Sequence, residues 1–476
     1  MKELLHKIES RTARVGIVGL GYIGLPMAVA FAKRLDVVGY DTNYHIINSL
    51  RQGVSHIWDV THEELGRCLN KTFHPTNQET ELARCDFIII CVPTPLTADK
   101  QPDLSCVKGA TRTIATILKK GQFVILESTT YPGTTEEVVI PLLEKSGLKA
   151  NTDFGAAYSL ERIDPGNKRY NLGNVPKITA GITPECSDVA VALYKTIVEN
   201  VIAVRDCRTA EACKMLENTF RMVNIALVNE MALVFEKMGI NIWEVIEAAA
   251  TKPYGFMPFY PGPGIGGHCI PLDPYYMAYK ARRCEVAPRL IELSGEVNDF
   301  MKIHAVNLAG EGLASVGGRI RNAQIAVLGM AYKKEFNDAR ESPAVRIIEE
   351  LVEQGATVRA FDPYVKSLET ACGRFDSERS LDDALMGADC AMFLVDHNQF
   401  RTIDGRHLKA LMGRPVVVDC KNLFEADKMT EVIYLAIGKP HGRTDMTGPA
   451  QSNPVSEPLG GKVTASKINE GAHEQG

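Results

Sequence analysis

The chain has 476 residues, 45% hydrophobic and 23% charged, with 53 Lys plus Arg against 58 Asp plus Glu and a formal net charge of -5. That length holds two or three domains with their own cores, and the slightly acidic balance argues against a nucleic-acid partner. No apolar run approaches the roughly 18 residues of a spanning helix, so no membrane association is expected.

The first residues, MKELLHKIESRTARVG, lack the apolar segment of a secretory signal. The 12 cysteines form neither a C-x-x-C pair nor a cluster with histidine, which argues against a metal site. A cytoplasmic protein with reduced thiols is expected.

In chain order, RVGIVGLGYIGLPMAVAFAK opens with an apolar strand, turns through glycines and continues as a helix. VVGYD is a second strand ending in an acid, and DFIIICVP and QFVILES are buried-type strands with helical segments between them. Such alternation predicts a parallel sheet. Gly19-Leu20-Gly21-Tyr22-Ile23-Gly24 fits G-x-G-x-x-G. These glycines permit a tight turn and close approach of a pyrophosphate, while the helix N-terminus supplies amide donors and positive dipole. Asp41 is placed to accept hydrogen bonds from an adenosine ribose and to disfavour a 2′-phosphate, so NAD is expected over NADP. Val92, Pro93 and Thr94 of VPTP, and Thr129 of ESTTYPGTTEE, end strands at the edge where that ligand lies. Thr94 and Thr129 are read either as contacts or as helix caps.

YSLERIDPGN sets Glu161, Arg162 and Ile163 just beyond a probable strand. From Thr209 to Met238 the pattern is a single helix without Gly or Pro, roughly 45 Å long at 1.5 Å per residue. Lys214, Asn218 and Arg221 share one face of it, either as reactive groups or as a solvated polar side. Its apolar residues, Met222, Ile225, Leu227 and Val234 among them, exceed one face, which predicts cover on several sides. Shorter helices are expected next, and then GPGIGGHCIP, where glycines and prolines crowd Cys269. That loop is either a sharp turn whose thiol fills a gap or a frame for a reactive sulfur. Asp273 follows four residues later. A thiol, a lysine, an amide and two carboxylates on an NAD-binding chain suit the oxidation of an aldehyde through a thioester.

A third region begins at AQIAVLGMAYKK, with TVRAFDP, DCAMFLVD and PVVVDCKN as further parallel strands. The expected fold is α/β, with two Rossmann-like doubly wound parallel-sheet domains joined by a long central helix. The expected divisions are an NAD-binding domain at 1–205, a central helical dimerisation domain carrying the cysteine loop at 206–318, and a second Rossmann-like domain at 319–437, which only the family resemblance that follows makes UDP-sugar-binding. Residues 438–476, rich in Gly, Pro, Ser and charge, are expected to be a disordered tail.

GLGYIGLP, VPTP, ESTTYPGTTEE, the K-x-x-x-N of KMLEN, GPGIGGHCIPLDP and GMAYKKEFNDARESPA occur in the order seen in the UDP-glucose/GDP-mannose dehydrogenase family. The resemblance covers almost everything from Arg14 to Leu423. It implies a nucleotide-sugar 6-dehydrogenase that takes a primary alcohol of a UDP-sugar to a carboxylate with two NAD, working as a homodimer paired through the central helix. It implies Cys269 as nucleophile, with Lys214 and Asn218 at the developing oxyanion. Asp273 is then expected to move protons through water, and Glu161 to position the hydrolytic water. It further implies substrate contacts from Arg162, Ile163, Lys214, Asn218, Arg221, Phe259, Tyr260 and Gly266. Lys333, Lys334 and Lys421 are expected at the UDP-sugar, and Arg340 toward the cofactor.

Two departures bear on the sugar. Pro165 and Leu272 stand where the UDP-glucose branch carries a glutamate and a lysine, and both resemble the branch acting on N-acetylated hexosamines. KPYGFMPFYPG stands where the N-acetylmannosamine enzymes carry a His-Pro-Arg segment, which resembles UDP-N-acetylglucosamine 6-dehydrogenases. UDP-N-acetylmannosamine and UDP-glucose are the next alternatives. Leu160 replaces the proline usual before the family glutamate at Glu161. A non-catalytic relative that only binds NAD and sugar nucleotide would be expected to lose the thiol, lysine or asparagine, and all three are present.

Overall fold

The computed structural model describes residues 1–164, 166–167 and 169–440, so nearly all of the expected tail lies outside the described residues. Eight strands build the first sheet: β1 (Arg14–Val18), β2 (Asp36–Tyr40), β3 (Phe73–Thr76), β4 (Phe87–Ile90), β5 (Phe123–Leu126), β6 (Gly155–Ser159), β7 (Lys177–Gly181) and β8 (Val201–Ala203). Their order is β3-β2-β1-β4-β5-β6-β7-β8, with a topological switch point between β1 and β4, where ligands of doubly wound sheets bind. β4 and β5 are buried at every residue, as strands covered on both faces are. The sheet is not wholly parallel: β7 runs antiparallel to β6. Among the described residues no helix is assigned between those two strands, and a crossover is what a parallel return requires.

The second unit contains β9 (Gln324–Leu328), β10 (Thr357–Phe361), β11 (Ser367–Thr370), β12 (Gly373–Asp376), β13 (Cys390–Phe393), β14 (Val416–Asp419) and β15 (Ile433–Ala436). Five of them form a parallel sheet in the order β10-β9-β13-β14-β15, and β11 and β12 pair as an antiparallel hairpin. After β15 the chain continues as part of the fold. Gly438 donates to Glu236 Oε1 at 2.6 Å, its carbonyl accepts from the Ile242 amide at 2.9 Å, and the Trp243 indole donates to the Ile437 carbonyl at 2.9 Å. Gly438 therefore belongs with these helices and not with the expected tail.

The long helix spans Cys207–Met238. Asp206 caps it by accepting from the Thr209 amide at 2.8 Å, and Gly239, at φ 74°, ends it in the left-handed conformation. Packed along it is a second long helix, Arg289–Ser315, in a stretch for which the sequence named no element. Its glycines lower local helix propensity, but they permit close packing. Gly295 faces the Tyr275 hydroxyl, and a Cβ on Gly312 would come within 2.5 Å of Val416 Cγ1. Between the two helices, buried Asn229 donates to Asn298 Oδ1 at 2.9 Å, and its own oxygen accepts from the Gly262 amide at 3.0 Å. The cysteine loop is thus tied to the helix pair at its first residue.

Gly310 and Gly312 lie two residues apart on that second helix and predict opposite outcomes. At Gly310 a Cβ meets Ile320 Cδ1 at an ordinary 3.4 Å, so Gly310→Ala should stabilise by about 0.5–1 kcal/mol through helix propensity. Gly312→Ala should instead destabilise by about 1–3 kcal/mol by crowding Val416 and Leu435. Thermal unfolding of the two variants checks this, and shifts of the same sign would contradict the packing described.

Candidate active site

The glycine turn sits at the end of β1, at the switch point. Gly19 has φ 94°, and a side chain on Gly24 would collide with the Gly19 carbonyl. A Cβ on Gly21 would meet nothing within 4 Å, so the outer side of the turn is open. Tyr22 and Ile23 complete the turn, and the helix Gly24–Ala32 begins there. Asp41 fixes the loop: its carboxylate accepts from the Leu20 amide at 2.9 Å and the Asn43 amide at 2.8 Å. His56, which the sequence reading missed, bonds the Leu20 carbonyl at 3.0 Å, and burial pushes its pKa down.

The neighbouring strand ends are also braced. Ser128 donates to the Val92 carbonyl at 2.7 Å, and Pro93 is exposed while Thr94 and Thr129 are half-buried. Glu211, buried on the long helix, accepts from the Thr135 amide and hydroxyl at 2.8 and 2.7 Å, holding the YPGTT turn. Burial pushes its carboxyl up to about 7.

The polar set around Cys269 is built by the long helix meeting two loops. Lys214 donates to the Glu161 carbonyl at 2.6 Å, and its ammonium lies 3.8 Å from the Glu161 carboxylate. Four residues along, Asn218 donates to Asp273 Oδ2 at 2.5 Å. Asp273 opens the helix Asp273–Arg283, and its amide donates to the Cys269 carbonyl at 2.8 Å. Glu161, Lys214, Asn218 and Asp273 are only 4–6% exposed.

Burial dominates their electrostatics. It pushes Glu161 up to about 7 against the pull of Lys214 and Lys177, and Asp273 up to about 7 against Lys214 and the Asn218 hydrogen bond. The Cys269 thiol goes up to about 12 because desolvation outweighs Lys214. Burial works against the charge of Lys214 too, yet Glu161, Cys269 and Asp273 together leave its pKa above the ordinary lysine value. The result is a persistent cation beside two carboxyls that exchange protons near neutrality and one protonated thiol.

The other expected residues fall around this set. Arg162 pairs with Glu217 and donates to the Pro176 carbonyl at 2.8 Å, and the Ile163 amide donates to the Glu161 carboxylate. Arg221 is exposed, with its positive charge acting on both Asp164 and Cys269. Lys333 reaches Asp164 at 2.6 Å, joining the third region to the ERIDP loop. Lys334 lies 3.8 Å from Asp396. Lys421 packs on the loop, its Nζ 2.7 Å from where a Gly262 Cβ would be, and burial lowers its pKa. Gly266 lies under Tyr332, whose Cβ would be 2.7 Å from a side chain there. Arg340 pairs with Asp338 at 2.6 Å and stacks over the Tyr22 ring at 4.3 Å, linking the third region to the glycine turn. Phe259 and Tyr260 instead meet Phe220 and Trp243, with ring centroids 5.7 and 5.8 Å apart. No hydrogen bond joins either ring to the Cys269 set among the described residues.

Tyr332, Glu211, Glu127 and Lys177 were not singled out from sequence. For the last two a signal existed, a charge inside or directly after an apolar strand in ILES and PKITAG. No group of three or more potential metal ligands occurs among the described residues.

Three family models match the chain in succession. They are the NAD binding domain (residues 13–198), central domain (208–300) and UDP binding domain (326–426) of the UDP-glucose/GDP-mannose dehydrogenase family. The chain belongs to this family. It is an NAD-dependent nucleotide-sugar dehydrogenase. The dehydrogenase is 38% identical over 418 residues to a UDP-N-acetyl-D-glucosamine 6-dehydrogenase of Pseudomonas aeruginosa, covering 87% of this chain and 98% of that protein. It is 37% identical over 428 residues to a UDP-N-acetyl-D-mannosamine dehydrogenase of Escherichia coli, covering 87% and 99%. Its fold matches the solved UDP-D-ManNAc dehydrogenase of Pyrococcus horikoshii with a TM-score of 0.84 at 35% identity, covering 90% of this chain and 99% of that one. No helix among the described residues is long and apolar enough to cross a membrane.

Proposed function

We propose that this dehydrogenase oxidises C-6 of UDP-N-acetylglucosamine to the uronate in two steps, through a thiohemiacetal and then a thioester on Cys269. The observation that carries the reading is the convergence of buried Lys214, Asn218, Asp273 and Glu161 on the cysteine loop of an NAD-dependent enzyme.

The cofactor's place follows from the glycine turn. Open space over Gly21, the amides of the helix after it and the Asp41 carboxylate fit a pyrophosphate and ribose. Val92 to Thr94, Thr129 and Arg340 over Tyr22 line the same edge. NAD, when bound, supplies the hydride acceptor for each oxidation. Asp273, poised near 7, receives the hydroxyl proton through a water as the alcohol becomes an aldehyde. The Cys269 sulfur then bonds to C-6, and its proton ends on the C-6 oxygen. The Lys214 ammonium, and the Asn218 N–H not given to Asp273, stabilise charge developing on that oxygen. In the second oxidation, with NAD bound as acceptor, C-6 gives up its hydrogen as hydride and its hydroxyl proton to Asp273, which has by then released the first proton to solvent, and the thioester results. In the last step Glu161 takes a proton from water as the water oxygen bonds to C-6, the C–S bond breaks with its electron pair on sulfur, and Cys269 regains a proton from Glu161.

The diphosphate of the substrate is assigned to Lys333, Lys334 and Lys421, and the sugar to Arg162, Ile163, Arg221 and Gly266. Relatives acting on UDP-N-acetylglucosamine and UDP-N-acetylmannosamine are 38% and 37% identical, a difference too small to choose between them. The choice of N-acetylglucosamine rests on KPYGFMPFYPG in place of a His-Pro-Arg segment.

A homodimer is proposed from the long helix. Leu216, Phe220, Leu227, Val234 and Met238 form an exposed apolar stripe at helical spacing, with Leu216 71% and Leu227 54% exposed. Such a row suits an isologous two-fold contact.

Three measurements check these readings. Cys269→Ser should still bind NAD and the UDP-sugar, while free uronate falls below detection, because a serine hydroxyl is a far weaker nucleophile and forms no thioester. On the parent enzyme, NADH release measured across a panel of UDP-sugars should be fastest with UDP-N-acetylglucosamine. Uronate at the parent rate from the serine variant would overturn the nucleophile. For the assembly, light scattering should give twice the mass of one 52.2 kDa chain. A single species at the mass of one chain would refute the dimer.

A further inference from the structure

A second buried charge cluster lies beside the first and has no place in the steps above. Lys177, in β7, forms an ion pair with Glu127, the residue directly after β5. The other Glu127 oxygen accepts from the Tyr194 hydroxyl at 2.6 Å, and the Lys177 ammonium lies 4.8 Å from the centre of the Tyr194 ring. All three side chains are buried. An ion pair so far from water is weak evidence for stability, since desolvating two charges offsets their attraction. Its geometry suggests another purpose. The same ammonium donates to the Leu160 carbonyl at 3.2 Å, and the next residue is Glu161, whose own carbonyl is the acceptor for Lys214. Two buried lysines therefore hold consecutive peptide carbonyls, one on each side of the Glu161 Cα. Glu127 begins the ESTT turn, in which Ser128 bonds the Val92 carbonyl, so the cluster also connects the cofactor edge to the Glu161 loop.

We propose that Lys177, held by Glu127 and Tyr194, is a positioning residue for thioester hydrolysis: it fixes the Leu160–Glu161 backbone so that the Glu161 carboxylate meets the attacking water. The proposal rests on the reading of Glu161 as the group that takes the water's proton. The effect is both geometric and electrostatic. Glu161 faces Lys214 from the long helix, Lys177 from β7, Glu127 after β5 and Asp273 from the helix after the cysteine loop, with the Cys269 thiol also in range. Burial raises the Glu161 pKa, Lys214 and Lys177 lower it, and Glu127 and Asp273 raise it. Removing the Lys177 charge should move it further up. Removing both charges should return it toward the parent value while the Leu160 carbonyl remains unheld.

Single-turnover experiments on the full enzyme with NAD and UDP-N-acetylglucosamine follow NADH release and, after acid quench, the mass of the Cys269 adduct. In Lys177→Met the NADH burst should persist while hydrolysis slows about tenfold or more, so the thioester accumulates, and the acid limb of the hydrolysis rate should shift to higher pH. The charge-balanced pair Glu127→Gln with Lys177→Met, which buries no unpaired ion, should hydrolyse as slowly with its acid limb back near the parent position. Parental hydrolysis in both variants would overturn the proposal. So would equal slowing of the burst and of hydrolysis with an unmoved pH profile, which is the mark of a merely structural role. Glu161→Gln separates the two layers. Parental hydrolysis there overturns the Glu161 reading and the proposal with it. Stalled hydrolysis there, with parental hydrolysis in the Lys177 variants, overturns the proposal alone.

Discussion

The site is organised around one buried cation. An ammonium taken out of water costs several kcal/mol unless partners replace its hydration, and Lys214 finds them in the Glu161 carbonyl at 2.6 Å and the Glu161 carboxylate at 3.8 Å. That requirement explains the burial of acids beside it. Without Lys214, desolvation would be opposed only by Lys177 at Glu161, the Asn218 hydrogen bond at Asp273 and Arg221 at Cys269, and all three would hold their protons more firmly. With it, both carboxyls sit near 7 while the thiol stays protonated. A group that exchanges protons near the working pH is what acid–base steps call for.

Holding that cation in place is the work of the long helix and its supports. Lys214 and Asn218 stand one turn apart, so a rigid helix delivers both to the loops at a fixed spacing. The helix is stiffened by the Asp206 cap, by the packed helix Arg289–Ser315 and by the buried Asn229–Asn298 pair. Asn229 also accepts from Gly262, so the element that carries the cation also carries the start of the cysteine loop. Tyr332 against Gly266, and Lys421 against Gly262, press the third region onto the same loop. Each sheet supplies one wall, and the helix sets the distance between the chemical groups.

Much of this was legible in the sequence, for local reasons. A G-x-G-x-x-G between an apolar strand and a helix constrains backbone that only glycine tolerates, and the Gly19–Gly24 contact shows that constraint. Helical spacing placed Lys214 and Asn218 on one face because the 3.6-residue period leaves no other choice. What escaped was non-local. The Lys177–Glu127 pair joins residues 50 apart in the chain, and its pattern in a strand looks like a lone charge. The antiparallel β7 depends on how residues 160–176 return, which an apolar run does not encode. The helix Arg289–Ser315 was hidden by glycines whose low propensity is overridden by packing against Tyr275 and Val416. Phe259 and Tyr260, expected at the substrate, pack on Phe220 and Trp243 because aromatic rings follow apolar neighbours that the motif does not contain.

The central claim is that one site carries both oxidations with the intermediate held on Cys269. Its most direct test is stoichiometry: NADH and uronate counted together at limiting UDP-N-acetylglucosamine and excess NAD, with hydroxylamine added only to a parallel reaction to capture free aldehyde. The account predicts two NADH for each uronate and no captured aldehyde. One NADH per sugar, with the aldehyde captured as its oxime, would contradict it.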